Sequence, residues 1–544
     1  MSYFVGVDVG TSSVRAGLVQ KTENGSKIIK YHSEEITIFK PKANFFEQSS
    51  DDVWNKVCEC VREVTHIVPK YEIAGIGFDA TCSLVLFDKD LKPLTVSPNG
   101  INEQNIIMWL DHRAKQEADE INATNHEILR FVGGKVSLEM EIPKLLWLKK
   151  NMKNKCFEKI HLAFDLPDFL TWRATDIMTR SICSLTCKWN YDAFNCKWPE
   201  DFFNLIGLKE LTSDNFLKIG NKVLFPGDPV GKLSERAARE LGLETSTIVA
   251  SSMIDAHAGA LGLIASRSDI SDNDITSKLI LIAGTSTCHM SITDNCIFSP
   301  GIWGPYKHAL LPDYFLIEAG QSASGILIEH VLKTHPDFQK IKDELQNDEN
   351  IYEHLNNEIA KLASEQNLSS FHELTKHYHI YPDFHGNRSP LGDNTLKGMI
   401  CGCTMHDSIL VTYLATIQSL AYSTKHIIES LYKSGRKKFK SILICGGLSK
   451  NRLFLQTHAD ICGIPILISN EQESVLLGSA MLAATGSGVY KDLKSAAEEL
   501  SNDCSQIFPD QSSELFHSRK YKVFLRMLDE QLNYRKIMEE TVDA

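Results

Sequence analysis

Residues able to bind phosphate lie near the start of the chain. The run YFVGVDVGTSSVRAGLVQ places an acidic residue, Asp8, at the end of an apolar stretch, and four turn residues follow: Gly10, Thr11, Ser12 and Ser13. Glycine lets the backbone turn sharply, and exposed amides and hydroxyls can line a phosphate. A carboxylate at the strand end can hold a hydrated divalent cation beside it. The pattern predicts two strands joined by a nucleotide-phosphate turn that needs no Walker lysine.

The chain contains a second copy of this pattern. The run LILIAGTST at 279–287 is again a strand followed by a Gly-Thr-Ser turn, and Asp8 of the first copy matches Ile282 of the second. A further pair is formed by IAGIGFD at 73–79 and ILICGG at 442–447. The repeat predicts two related α/β lobes that face each other across a cleft, with a phosphate turn from each. This arrangement resembles the ATP clamp of the actin, hexokinase and sugar kinase superfamily.

A candidate general base follows the strand IVASSMI. Asp255 ends this buried run, and the small residues AHAG after it let a helix start close to the cleft. An aspartate there can accept the proton of an attacking hydroxyl. The alternative for a lone aspartate before a helix is an N-cap, which is the commoner role. The position of Asp255 just before the second Gly-Thr-Ser turn favours the catalytic interpretation.

Other polar residues in apolar surroundings are candidates for binding a small polyol. The strand at 73–78 ends at Asp79-Ala80-Thr81-Cys82, and ligands gather at such carboxyl ends in open α/β sheets. Asp111, in MWLDHR, either belongs to a sugar-binding wall or caps a helix with a surface salt bridge. Lys188, in SLTCKW, is either a snorkelling lysine at the core edge, which spacing alone favours, or a cation facing a substrate oxygen. Glu318 either faces the cleft or is a satisfied strand end.

Two segments of the second half also carry candidate binding groups. Paired glycines at 446–447 allow an adenine or phosphate to lie against bare backbone, and Asn451 in the next turn can hydrogen-bond a base or ribose. The loop YPDFHGNRSP at 381–390 is polar, bounded by proline and glycine, and long for a simple connection. Such a loop indicates function.

Periodicity predicts the elements that must position these groups. Ser49 offers an N-cap to a helix with valines along one face, which should pack on the first sheet. A strand is predicted at 34–39, a core helix at 406–433, and a charged amphipathic helix at about 519–540 that clasps the surface. The polar stretch at 271–274 is the predicted hinge between the lobes.

Length and composition exclude several classes of protein. A chain of 544 residues should form two large domains, since single cores stop growing at roughly 250–300 residues. The net charge of -12 argues against nucleic acid or an anionic membrane as the main partner. No apolar run reaches the roughly 20 residues of a membrane helix, and MSYFVGVDVG enters a strand without a leader, so a cytoplasmic location is expected. The 14 cysteines are scattered, which is typical of reduced, buried thiols rather than of a zinc site.

Taken together, the ordered motifs resemble the FGGY carbohydrate kinase family, and within it the ribulokinase-like branch. The resemblance covers nearly the whole chain, and the motifs that carry it are VGVDVGTSSVRAGL, GFDATCSLV, MWLDHRA, MIDAHAGALG, GTSTCHM, EAGQSASG, PDFHGNRSPLGD, CGGLSKN and QESVLLGSA. It implies an α/β fold of two ribonuclease H-like lobes, of the actin and hexokinase superfamily, with a central ATP and sugar cleft. The expected domains are an N-terminal lobe at 1–268, a C-terminal lobe at 275–500 and a helical extension at 501–544.

The resemblance also implies roles for individual residues. Asp255 would be the general base, and Asp8 would help to hold Mg²⁺ near the γ-phosphate. The implied nucleotide contacts come from both lobes: Asp8, Thr11, Ser12, Ser13, Arg15, Gly284, Thr285, Gly325, Gly447 and Asn451. For the sugar, similarity to ribulokinases points to Lys188, Glu318 and Asp255, in a pocket also lined by Asp79, Cys82, Asp111 and Glu139.

The predicted function is ATP- and Mg²⁺-dependent phosphorylation of the terminal hydroxyl of a ketopentose, with D-ribulose as the expected substrate and D-ribulose 5-phosphate as the product. Xylulokinases have a Met-His pair where this chain has Asp79-Ala80, and glycerol kinases carry Arg-Glu near Ala80-Thr81, so xylulose and glycerol are poorer candidates. The alternatives are L-ribulose, ribitol or another pentulose or pentitol. A rival of another class is an actin-like ATP-binding assembly protein without sugar chemistry. The expected partners are ATP and a sugar, with a homodimer as a possible assembly.

Overall fold

A computed structural model describes residues 2–268, 274–345 and 349–539. The predicted hinge at 271–274 lies outside the described residues except for Asp274. The predicted domain bounds stay predictions.

Strands and helices alternate in the first half of the chain. Its strands are β1 Tyr3–Val9, β2 Ser13–Thr22, β3 Gly25–Glu35, β4 Glu47–Gln48, β5 Ile73–Ala80, β6 Leu84–Phe87, β7 Ile106–Ile107, β8 Leu162–Asp165, β9 Arg180–Ser181, β10 Val223–Leu224, β11 Pro229–Lys232, β12 Ile248–Ala250 and β13 Met253–Ile254. Its α-helices are α1 Ser50–Thr65, α2 Lys115–Ala123, α3 Glu141–Asn151, α4 Leu166–Thr175, α5 Ile182–Lys188, α6 Glu200–Leu205, α7 Ser213–Phe216, α8 Glu235–Leu241 and α9 Asp255–Ile264.

The second half follows the same α/β pattern with longer helices. Its strands are β14 Lys278–Ala283, β15 Thr287–Thr293, β16 Trp303–Lys307, β17 Phe315–Gln321, β18 His379–Tyr381, β19 Met399–Cys401, β20 Ser441–Cys445, β21 Ile466–Ser469 and β22 Cys504–Ile507. Its α-helices are α10 Gly325–Thr334, α11 Phe338–Glu344, α12 Ile351–Glu365, α13 Ile409–Lys433, α14 Arg452–Cys462, α15 Ser474–Gly486, α16 Leu493–Leu500 and α17 Glu514–Glu539.

The two main sheets share one topology. The first has the order β11-β12-β5-β1-β2-β3, and the second has the order β22-β21-β20-β14-β15-β17-β16. In each sheet antiparallel strands come first in sequence, three in the first sheet and four in the second, where β16 is added at the outer edge. Two strands parallel to the first of them then extend the sheet on its other side. An antiparallel strand, β11 or β22, closes the same edge in both sheets. The internal repeat predicted from the two Gly-Thr-Ser runs is therefore confirmed at the level of whole sheets.

Helix α1 covers one face of the first sheet, as its valine spacing predicts. Ser49 accepts a hydrogen bond from the Asp52 amide and caps the helix. The side chains at positions 53, 57, 61 and 64 are fully buried in one cluster with the valines of β1. Each buried valine contributes about 1.5–3 kcal/mol of hydrophobic stabilisation. Because the helix ends at Thr65, Val68 lies beyond it and is only partly buried.

Two helices of small residues, α9 and α15, lie between the sheets. Helix α15 packs directly on β5, where a Cβ added to Gly77 would stand 2.1 Å from the Ser479 carbonyl oxygen. Helix α9 contacts the second sheet, because the Ile282 side chain at the end of β14 reaches Gly259. Helix α15, from the second half of the sequence, thus packs on the first sheet, and helix α9, from the first half, contacts the second sheet.

Three predicted elements can be compared with those observed. The predicted core helix at 406–433 is α13, and the predicted amphipathic helix at 519–540 is α17. The strand predicted at 34–39 was placed too late, because the third strand is β3 at Gly25–Glu35. Only the first two residues of β3 are buried and the other nine are exposed or partly exposed at the edge of the sheet, so it lacks the apolar run that marks a buried strand. Among the described residues, no helix combines the length and the apolarity needed to cross a bilayer.

Candidate active site

Three aspartates converge at the carboxyl ends of neighbouring strands. Asp8 on β1 pairs in register with Asp79 on β5, and β13 pairs with the same end of β5 immediately before Asp255. Asp8 and Asp79 are buried, whereas Asp255 is partly exposed. Parallel strands bring these side chains together although they lie far apart in the sequence.

Asp8 is held by an arginine that also reaches the second half of the chain. Arg15 Nε donates to Asp8 Oδ2 at 2.8 Å, and Arg15 Nη1 donates to Glu473 Oε2 at 2.8 Å. Glu473 directly precedes α15, so this ion pair ties the first phosphate turn to the element that packs on β5. Glu473 was missed as a site residue, although it stands in the QESVLLGSA motif.

Asp255 is the first residue of α9. The Ala256 amide donates to Asp255 Oδ1 at 2.7 Å. Burial and the charge of Asp8 raise the pKa of Asp255 to about 6. A carboxylate with a raised pKa and a partly exposed side chain can accept a proton from a hydroxyl near neutral pH. Asp255 therefore has the chemical properties of a general base, and its role stays a prediction.

Asp79 is fully buried beneath α15. Ser479 of α15 donates a hydrogen bond to Asp79 Oδ2, while Asp79 Oδ1 has no hydrogen-bond partner among the described residues. Burial and the charge of Asp8 raise its pKa well above the usual range. The structure thus shows Asp79 in contact with α15 and Asp8, and its predicted contact with the sugar stays a prediction.

The first predicted phosphate turn joins β1 to β2. The Gly10 amide donates to the Ser13 carbonyl at 2.9 Å and closes the turn. Trp109 Nε1 donates to Thr11 Oγ1 at 3.0 Å and fixes that side chain, while Ser12 lies exposed. The turn presents amides and hydroxyls next to Asp8.

The second predicted turn joins β14 to β15 and, like the first, has three residues between its strands. The Gly284 amide donates to the Ser286 carbonyl at 2.9 Å, and the Gly325 amide, at the start of α10, donates to the Gly284 carbonyl at 3.0 Å. Thr285 is exposed. Four of the predicted nucleotide residues meet at this corner, because β20 ends beside β14: Gly284, Thr285, Gly325 and Gly447.

A close backbone approach explains the paired glycines after β20. Gly446 has a φ of 90°, and a Cβ there would stand 2.5 Å from the Ala283 carbonyl oxygen. A Cβ on Gly447 would instead meet nothing within 4 Å. Gly446 therefore lets β20 approach the second turn, and Gly447 offers open backbone to a ligand.

Asn451 has an observed role that differs from its predicted one. Its Oδ1 accepts hydrogen bonds from the amides of Leu453 and Phe454, which makes it the N-cap of α14. Its Nδ2 donates to Tyr413 Oη at 2.7 Å. The side chain is buried and its polar atoms are engaged, so the structure shows a capping residue and leaves contact with a base or ribose as a prediction.

Asp111 likewise has a structural role. Arg113 Nε and Nη2 donate to its two carboxylate oxygens at 2.9 and 2.7 Å, and the Phe46 amide donates to Oδ2 at 2.7 Å. Glu47 binds the same guanidinium, and all three charged side chains are buried. The sequence left a sugar wall and a surface salt bridge open. The ion pair exists but is buried, and contact of Asp111 with a sugar stays a prediction.

Four charged side chains and one tryptophan, drawn from both halves of the chain, form a second cluster. We call it the polyol cluster: Glu139, Lys188, Trp303, Glu318 and Arg388. Arg388 Nη2 donates to Glu139 Oε1 at 2.6 Å, and Lys188 Nζ lies 3.7 Å from Glu139 Oε2. Both cations also lie over the Trp303 ring, at 5.6 and 5.5 Å from its centroid. Lys188 is buried at the end of α5 and faces a carboxylate, so it does not snorkel to solvent.

The polyol cluster is linked to Asp255 through α9, because His257, two residues after Asp255 in that helix, lies 3.3 Å from Glu318. Cys288 follows the second turn, and its thiol pKa is raised to about 12 by burial and then by the charge of Glu318. The charges of Arg388, Glu139 and Asp255 also shift the pKa of this thiol. Cys82 is buried, and the charge of Lys188 acts on its thiol as well. Arg388 and Trp303 were missed as site residues, although Arg388 stands in the polar loop that the sequence singles out.

His257 links two buried side chains beside this cluster, and the sequence did not predict its part in the site. His257 Nε2 lies 3.3 Å from Glu318 Oε2, and His257 Nδ1 lies 3.0 Å from Cys183 Sγ. Burial opposes charge on Cys183, but hydrogen bonding from Cys187 and the charge of His257 lower the pKa of Cys183. Burial also opposes charge on His257, but Cys183 and Glu318 raise the pKa of His257. These shifts favour a thiolate beside an imidazolium. Burial opposes the charge of Glu318, but hydrogen bonding and charge from His257 lower its pKa.

The fold and the site together define a two-lobed carbohydrate kinase. Residues 3–262 match the N-terminal domain of the FGGY family of carbohydrate kinases, and residues 279–487 match its C-terminal domain. The chain belongs to this family, whose members use ATP and a sugar as substrates.

Among similar proteins, an FGGY carbohydrate kinase domain-containing protein of Xenopus laevis is 45% identical, with 98% of each chain covered. The human protein of the same description is 43% identical over 99% of this chain and 98% of its own length. The D-ribulokinase YDR109C of Saccharomyces cerevisiae is 37% identical over 89% of this chain and 72% of its own length.

Solved structures share the fold at low sequence identity. A gluconate kinase from Lactobacillus acidophilus superposes with a TM-score of 0.80 at 19% identity, covering 98% of this chain and 99% of that chain. A ligand-bound xylulose kinase from the same organism gives 0.79 at 20% identity, covering 97% and 98%. The predicted fold of two actin- and hexokinase-like lobes is confirmed.

Proposed function

We propose that this kinase transfers the γ-phosphate of ATP to the terminal hydroxyl of a ketopentose, and that the ketopentose is D-ribulose. The observation that carries the proposal is the position of Asp255. This side chain, with a pKa of about 6, begins α9 beside the strand end that carries Asp79, and His257, two residues later in the same helix, lies 3.3 Å from Glu318. A base between a phosphate site and a polyol site is what phosphoryl transfer to a hydroxyl requires.

Mg²⁺ fits the donor set at the ends of β1 and β5. Asp8, Asp79 and Asp255 bring three carboxyl groups together, of which Asp8 is paired with Arg15, and Asp79 Oδ1 lacks a hydrogen-bond partner among the described residues. Carboxylate oxygens are the ligands that Mg²⁺ prefers, often with waters between. Asp8 would hold the ion, which when bound supplies neutralisation of charge on the β- and γ-phosphates.

Groups of the protein itself would position the nucleotide and the sugar. The amides and hydroxyls of the two turns would hold the phosphates from opposite sides, and Gly447 would leave room for the rest of the nucleotide. Lys188 and Arg388 can donate to sugar oxygens, while Glu139 and Glu318 can accept from sugar hydroxyls. Asp255 would then take the proton of the terminal hydroxyl as the phosphoryl group leaves ATP.

Ribulose is favoured over other polyols by sequence similarity. The yeast D-ribulokinase is 37% identical, and a ribulokinase of Staphylococcus aureus is 29% identical over 92% of this chain and 91% of its own length. L-ribulose, ribitol and other pentuloses or pentitols are the competing substrates. The comparisons give the actin-like assembly alternative no support.

The test is a coupled ADP-release screen across ketopentoses and pentitols, compared as kcat/KM. D-ribulose should give the highest value. Asp255→Asn should lower turnover with it by on the order of 10²–10⁴-fold, because the proton acceptor is lost, while Mg²⁺·ATP binding persists.

Two outcomes would reject the proposal. A higher kcat/KM for another sugar would reject the substrate assignment. Turnover close to wild type in Asp255→Asn would reject the base, provided that the variant keeps the melting temperature of the parent.

A further inference from the structure

The C-terminal helix α17 packs on both ends of one loop of the second half. The loop, which we call the 382–398 loop, runs from β18 to β19. The Phe524 ring lies 4.9 Å from the Tyr381 ring at the start of the loop, and Leu396 near its end is buried in the same cluster. Lys520 Nζ donates to the Tyr378 carbonyl at 2.9 Å. The helix is thus fixed to the base of the loop on its apolar side.

Two polar residues near the end of α17 form hydrogen bonds with the 382–398 loop. Arg535 Nη2 donates to Asp393 Oδ2 at 2.8 Å, and a second hydrogen bond joins Arg535 to Thr395 Oγ1. Gln531 forms a closed pair with the backbone of Lys397, since it accepts from the amide at 2.7 Å and donates to the carbonyl at 2.8 Å. Burial opposes the charge of Asp393, but hydrogen bonds from Arg535 and Thr395 and the charge of Arg535 lower its pKa to about 2, so the carboxylate stays charged.

The part of the loop that α17 holds, around Asp393, is hydrogen-bonded to the part that carries Arg388. The Asn387 amide donates to the Asp393 carbonyl at 2.8 Å, and Asn387 Oδ1 accepts from the Leu391 amide at 2.9 Å. Asn387 Nδ2 donates to Asp383 Oδ2 at 2.8 Å. Asp393 therefore contacts Arg535 through its side chain and the residue before Arg388 through its backbone.

Arg388 leaves this loop to reach the polyol cluster. Its guanidinium donates to Glu139 at 2.6 Å, and its stem crosses β17 where a Cβ on Gly320 would stand 2.7 Å from Arg388 Cδ. Glu139 belongs to the first half of the chain. Its contact with Arg388 therefore depends on how the loop is held.

We propose that α17 is a positioning element for the sugar site. Its Arg535 and Gln531 hold the 382–398 loop so that Arg388 is presented to Glu139 in the geometry that binds the sugar. The inference rests on the proposed function, because it assigns Arg388 and Glu139 to sugar binding. Arg535 and Gln531 touch no substrate and act only through the loop.

The test is the double variant Arg535→Ala/Gln531→Ala, with Arg526→Ala as the matched control. Arg526 lies on the same helix, is 71% exposed, and pairs only with Glu530 among the described residues. The double variant should raise the KM for the sugar on the order of three- to tenfold, with kcat and the KM for ATP within about twofold of wild type. The control should change none of these constants, and Arg535→Lys should restore part of the sugar KM.

Amide hydrogen exchange provides a readout that does not depend on activity. The double variant should exchange faster within 383–397 while peptides of α13 and the two main sheets keep their rates. An unchanged sugar KM, or an equal loss in every kinetic constant, would overturn the proposal, and so would unchanged exchange in the loop. If the wild type phosphorylates no pentulose, the proposed function fails, whereas the exchange measurement still decides whether α17 holds the loop.

Discussion

Three neighbouring aspartates differ in what they can do because their surroundings differ. Asp8 is ion-paired with Arg15, and Asp79 is fully buried against Ser479. Asp255 is partly exposed and is bonded to the amide of the residue after it. Of the three, Asp255 combines access with a pKa in the range where a base works at neutral pH.

The raised pKa of Asp255 predicts an acid limb in the pH profile of the kinase. The base must be ionised, so activity should be full above about pH 7 and fall about tenfold per unit below pH 6. The measurement is the initial rate with both substrates below their KM, between pH 5 and 8. A flat profile over that range would contradict the assignment. Because the γ-phosphate also titrates, the control is Mg²⁺·ATP affinity of Asp255→Asn over the same range.

At the scale of elements, α15 joins the halves of the molecule through backbone contact. The Ser479 carbonyl approaches Gly77 so closely that a side chain on the strand would displace the helix. The glycines of GIGFD resemble a dinucleotide fingerprint in spacing, but they lie inside β5 and face α15. Their function is packing.

Gly77→Val should therefore destabilise the protein strongly. Its Cβ would meet backbone, which has no alternative rotamer, and overpacking of this kind costs about 1–3 kcal/mol or more. The measurement is the midpoint of urea unfolding followed by fluorescence. Gly447→Ala is the matched control, because its Cβ meets nothing within 4 Å, and its midpoint should stay within error of wild type. Equal midpoints for both variants would show that α15 does not pack as described.

At the scale of the whole molecule, the predicted ATP site is shared between the two sheets. One turn follows β1, and the other turn and Gly447 follow β14 and β20. A ligand held from both sides should stabilise the folded chain as a unit.

Mg²⁺·ATP at 100 times its dissociation constant should stabilise the fold by about 2.7 kcal/mol, seen as a rise in melting temperature. Chelation of the metal with EDTA should remove most of that rise, because the phosphates would then face the Asp8 carboxylate without a metal ion between them. EDTA without nucleotide should leave the melting temperature unchanged. The same rise with and without Mg²⁺ would contradict the metal site.

The sequence by itself determined the repeat, the two sheets and the candidate base. These depend on local signals, since apolar runs, glycine turns and strand-end acids are visible in short windows. Tertiary structure decided which polar groups are available. Asn451 caps a helix and Asp111 pairs with Arg113. Arg388 and Trp303 reach the site from the other half of the chain, and His257, although close to Asp255 in sequence, contacts Glu318 on β17. A residue's type fixes what it can bond, but its partners depend on which segments the fold brings within about 3 Å, and no local pattern records that.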